Sequence, residues 1–199
     1  MSSRDFMNVL LNPFEDVTSE KLLIIGIIGF SLMSVLSYSL HFINDGIIQL
    51  HLSEPKEYWK CLLNGSINTA GLTLCMFAYG KIVYSKTRFI DVLIAVLIAQ
   101  LALILVVLIT MNPFTMEVSN SMVKELENGN IKNIKMDTRN LIILTISGLL
   151  GILLLYYFFH LLVVGMKIAI NSKRLVHTIS IVLLTLVLDM VFKIIYPYL

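Results

Sequence analysis

The chain has 199 residues, of which 57% are hydrophobic and 14% charged, with a mean hydropathy of +0.86 and a net charge of +2. Soluble domains carry about 25% charged residues, so this composition excludes a solvated globule. So small a net charge gives no basis for a nucleic-acid partner.

In chain order, the tail Met1–Lys21 places Phe6, Val9, Leu10 and Phe14 near one helical face. That pattern predicts a short helix on the membrane surface, ended by Pro13 because the residue before a proline avoids helical geometry. Thr18-Ser19-Glu20 then offers a start for a longer helix. Five apolar runs follow: 22–43, 61–80, 92–111, 140–166 and 175–196. About 20 apolar residues let a helix cross the ~30 Å hydrocarbon core of a bilayer. The first run is too long for a secretory h-region and has no small-residue cleavage site after it, so it is expected to remain as a span. Ser53-Glu54-Pro55 reads as the start of the second span, and Tyr58-Trp59 as part of an interfacial aromatic belt. Between the third and fourth spans, Val118, Met122, Val123 and Leu126 predict a short amphipathic helix that ends at Asn128-Gly129. Asn-Pro-Phe occurs at 12–14 and again at 112–114, and reads as a turn at a membrane boundary. Tyr196-Pro197-Tyr198 closes the last span. The longest stretch between spans, Asn112–Arg139, is too short for an independent domain. The expectation is one all-α membrane domain of five transmembrane helices with short interfacial helices.

The basic residues divide eight to seven between the two sides of such a bundle. Density separates the sides better. Lys81, Lys86 and Arg88 fall in one short linker and Lys167, Lys173 and Arg174 in another, both on the side of the tail. Short basic loops mark the cytoplasmic face, which predicts a cytoplasmic N-terminus and an external C-terminus.

Polar residues inside the spans are the candidate functional positions. Asp189 and Lys193 stand four apart on the fifth span, in the favourable acid-then-base order. A charge inside the membrane costs at least ~2.5 kcal/mol unless paired or hydrated. The plain reading is an ion pair, with Lys193 reaching toward the interface. The functional one is an ion path, a proton relay or a substrate contact. On the second span Asn64, Asn68, Gly71 and Cys75 share one face, with Gln100 of the third span as a natural partner. Such amides commonly join helices, and Gly71 would permit a close approach. Ser31, Ser34 and Ser37 form a similar stripe on the first span. Read as one intramembrane polar site, these positions are Asp189, Lys193, Asn64, Asn68 and Gln100.

Other chemistry has little support. Cys61 and Cys75 lie about 21 Å apart along one helix, beyond the ~7 Å reach of a disulfide. His41, His51, His160 and His177 are scattered without a metal-binding spacing. His160, beside Tyr156–Phe159, reads as an interface residue. No nucleophile elbow, phosphate loop or dinucleotide fingerprint occurs. No catalytic residue, metal or cofactor is expected.

Gly80–Gln100, GKIVYSKTRFIDVLIAVLIAQ, resembles the turn between the second and third spans of bacterial members of the Yip family. LLNPFEDV before the first span, GMKIAINSKRLV before the last and LDMVFKII within it are similar too. The resemblance implies a five-span protein of a bacterial cytoplasmic membrane with its N-terminus inside, and no enzyme site. The family is named for eukaryotic relatives that interact with Rab-type GTPases. The Asp-Leu-Tyr-Gly-Pro segment of those relatives does not occur here. The expected function is a non-enzymatic scaffold or adaptor that binds membrane proteins or lipids or associates with itself. The alternative is a small transporter or channel-type component, with a polar path between spans two, three and five.

Overall fold

The computed structural model describes residues 8–127 and 137–195. Phe6, Asn128-Gly129 and Tyr196-Pro197-Tyr198 lie outside them. The fold is an all-α bundle. Residues 8–11 are helical, and α1 (Pro13–Asp16) follows. The remaining elements are α2 (Ser19–Ser39), β1 (Phe42–Ile43), β2 (His51–Leu52), α3 (Tyr58–Val83), α4 (Phe89–Thr110), α5 (Pro113–Glu127), α6 (Thr138–Ala169) and α7 (Leu175–Ile195). Five of these, α2, α3, α4, α6 and α7, are long and apolar enough to cross a membrane. Below, the end of the bundle that carries the β1–β2 hairpin is the loop end, and the opposite end is the tail end.

α4 is the central helix. It is the most buried of the five and packs against α2, α3 and α6. Val92, Val96 and Ala99 of α4 meet Leu72 and Met76 of α3 and Phe158, Leu162 and Met166 of α6 in one core. Small residues bring the axes together: a side chain at Gly165 of α6 would strike Ala95 of α4 and Phe14 of the tail. α7 packs against α3 and α6 at the periphery.

The first span differs most from expectation. Helix α2 ends at Ser39, although apolar sequence continues to Ile43. His41 takes a positive φ of 53°, the left-handed turn that commonly ends helices. Phe42 and Ile43 then pair antiparallel with Leu52 and His51. All of Phe42, Ile43 and Ile47 are buried. These residues are apolar because the loop folds back into the bundle.

Ser53-Glu54-Pro55 does not start the second span. The Ser53 backbone N–H donates to the His41 carbonyl at 2.8 Å and closes the hairpin. Glu57 takes the N-cap position of α3. Both Asn-Pro-Phe segments begin helices, with proline in the first turn where its missing N–H loses no bond. Asn112 caps α5, its Oδ1 accepting from the Thr115 N–H at 3.0 Å. Pro13 therefore both ends the 8–11 turn and opens α1. Val118 lies on the buried face of α5, as expected of an amphipathic helix.

Candidate functional site

The hairpin segment between β1 and β2, residues 44–50, carries peptide groups that lie outside the strand ladder into the loop end of the bundle. Hydrocarbon cannot satisfy such groups, so protein groups take that role. Asp189 does most of this. It lies two turns from the end of α7 and is only 3% exposed. Its Oδ1 accepts the backbone N–H groups of Ile47 at 2.6 Å and Ile48 at 3.0 Å. Its Oδ2 accepts the Gln49 side-chain amide at 2.8 Å. Gly46 makes the approach possible, because a side chain there would collide with the Asp189 carboxylate.

Two amides of α3 hold the other side of the loop. Asn64 Nδ2 donates to the Asn44 carbonyl at 2.7 Å, and Asn68 Nδ2 to the same oxygen at 2.8 Å. One carbonyl has two lone pairs, so these donors complete it. The i, i+4 spacing of the two asparagines puts both on the face that meets the loop. Ser37 of α2 adds a bond from its hydroxyl to the Phe42 carbonyl.

The structure thus brings together Asn64, Asn68 and Asp189 of the expected polar site, through a loop. Gln100 stands beside this cluster and accepts the Thr69 hydroxyl at 3.1 Å. Lys193 does not join it. Its side chain is exposed and forms no ion pair with Asp189. The expected Asp189–Lys193 pair is replaced because two peptide N–H groups and an amide already supply the carboxylate with donors. Charge-assisted bonds of this kind are about twice as strong as neutral ones. The second and fifth spans do meet: the Phe192 ring lies where a side chain at Gly71 would be, and the Tyr79 hydroxyl lies 2.7 Å from His177 Nδ1.

Asn44, Asn68, Thr69, Gln100 and Ser34 also line a cavity of about 30 Å³ between α2, α3, α4 and the loop. Asn44 Oδ1 is buried there without a hydrogen-bond partner among the described residues. The volume suits one or two waters. Asp189 of the fifth span does not line it; it holds the loop that covers it. Among the described residues no three His, Cys, Asp or Glu side chains gather as metal ligands. Cys61 and Cys75 are both free.

A second set of satisfied backbone groups was not legible in the sequence. The turn at residues 8–11 is cut short by Pro13, which leaves the Leu10 and Leu11 carbonyls without helical partners. Tyr157 donates its hydroxyl to the Leu10 carbonyl at 2.7 Å, and His160 Nε2 lies 2.9 Å from the Leu11 carbonyl. The tail therefore docks on α6. At the tail end, outside the spans, Arg88 pairs with Asp91 at 2.8 Å. That hydrogen bond and the neighbouring carboxylate raise the Arg88 pKa further and keep it charged.

Fold and site together define a multi-pass membrane protein of five helical spans, with a loop clamped into one end of the bundle. No family model, curated protein or solved structure matches the chain.

Proposed function

We propose that this protein is a non-enzymatic membrane scaffold of the Yip type, which binds partner membrane proteins through α6. The supporting observation is the state of that helix. α6 has 32 residues, the longest of the five spans, and none of its residues 138–157 is buried. A side chain at Gly148 or Gly151 would meet no atom within 4 Å. Small residues in a membrane helix serve close approach of another helix, and these two approach nothing among the described residues. The polar residues favour the same reading, since Asp189, Asn64 and Asn68 are engaged in holding a loop. The tail end carries the short basic linkers, which supports a cytoplasmic N-terminus.

Affinity capture from native membranes tests this, comparing the wild type with a Gly148→Leu, Gly151→Leu double variant. Partners identified with the wild type should drop at least fivefold with the variant, because leucines block close helix contact. An unchanged partner set would remove α6 as the binding face. A transport reading rests on the small polar cavity and Asn44. Its mark would be solute flux in proteoliposomes that Asn68→Leu abolishes and the α6 variant leaves intact.

A further inference from the structure

We propose that a groove beside the docked tail binds one phospholipid acyl chain as a fixed component of the protein. The groove has a volume of about 320 Å³ and runs between the tail, α2, α4 and α6, with Leu10, Ile25, Ile98, Leu105 and Tyr157 among its walls. Its chemistry is uniform. Tyr157 supplies the only polar side chain among the described lining residues, and its hydroxyl is already engaged by the Leu10 carbonyl. A polar ligand would lose its hydrogen bonds to water and gain none. Water itself leaves apolar cavities dry. Left unfilled, a groove of this size forfeits dispersion contacts along its lining.

Position and shape identify the occupant. Leu10, Ile25 and Leu105 are each more than 40% exposed, so the rim opens onto the lipid-facing belt and is continuous with it. The floor is buried protein, Ile98, Ala102 and Leu161. From Ile98 to Leu105 the α4 wall runs roughly 10 Å along the helix axis at 1.5 Å per residue. Tyr157 stands twelve residues from the tail-end terminus of α6, roughly 18 Å along the helix axis. The groove is therefore elongated along the membrane normal and lies at the depth of hydrocarbon. Its length along α4 suits a stretch of a single acyl chain. The tail forms its outer wall, so the chain is enclosed on one side and distinct from lipid that only touches the bundle. This site does not depend on the scaffold reading of α6.

The test uses the full chain in phosphatidylcholine vesicles doped with a phosphatidylcholine that carries a mid-chain diazirine. After illumination, adducts are mapped by mass spectrometry of peptides. Yields at Leu101 and Leu105 should exceed those at lipid-facing Ile152 of α6 at least fivefold. Ala102→Phe, which raises the floor, should cut the groove yield at least fivefold and leave Ile152 unchanged. If that variant does not fold, Ile25→Trp closes the rim from outside and should do the same. Equal yields at Leu105 and Ile152 would mean ordinary boundary lipid and overturn the proposal. A yield at Leu101 as low as at buried Val96 would mean that protein fills the groove, and would overturn it too.

Discussion

The two ends of the bundle solve one physical problem with opposite chemistry. At the loop end, an intruding hairpin presents peptide N–H groups, and Asp189 supplies the acceptors. At the tail end, a proline-broken turn presents carbonyls, and Tyr157 and His160 of α6 face them. The loop end uses a charge and is buried. The tail end uses a tyrosine and a histidine that are partly exposed. The charge is conspicuous in sequence because it is costly in a membrane, whereas a tyrosine and a histidine among aromatics look like interface residues. The comparison teaches that polar groups in these spans are placed to complete irregular backbone, and that their visibility tracks their energy.

This difference sets an order of expected effects. Asp189→Ala should be the most damaging, since it strands two buried N–H groups and an amide. At ~1–3 kcal/mol for each of the three unsatisfied groups, the loss should be about 3–9 kcal/mol, read as a lowered unfolding midpoint in detergent. A loss under ~1 kcal/mol would mean that the loop is not held by this carboxylate. Gly46→Ala should follow at ~1–3 kcal/mol, because its methyl group meets the carboxylate that the loop needs.

Asn64→Ala and Asn68→Ala each remove one of two donors to the Asn44 carbonyl. Each should cost about 1 kcal/mol. The double variant should cost more than the sum, because only then is the carbonyl unsatisfied. Strict additivity would show that the two amides act separately.

Tyr157→Phe should lower global stability by only ~0.6 kcal/mol, the usual scale of a hydrogen bond between membrane segments. Amide exchange in residues 8–17 should rise severalfold all the same, because the tail loses a tether. If exchange there is unchanged, the bond does not hold the tail. Lys193→Ala should have the smallest effect, within ~0.5 kcal/mol. A larger loss would revive the ion pair with Asp189.

Much of the loop-end cluster was legible in sequence, because Asn64, Asn68 and Asp189 are expensive to place in hydrocarbon and must have partners. Their partner was not legible. Phe42, Ile43 and Ile47 belong to a buried loop, but their hydrophobicity extends the first span on paper. Periodicity does not separate the two cases. The helical φ/ψ pattern stops at His41, and no residue type there demands it. Gln100 illustrates the same limit: its place on α4 could be read, but its bond to Thr69 depends on how α3 is rotated against α4.

The number of spans, their approximate bounds and the need for intramembrane polar partners followed from sequence alone, because the energy of moving a residue into hydrocarbon is a property of that residue. Which group meets which did not follow. Asp189 serves the hairpin and not Lys193, and Tyr157 reaches Leu10 across 147 positions of the chain. Those choices arise only when helix rotation, close approach at glycines such as Gly46, and competition among donors are settled together in three dimensions.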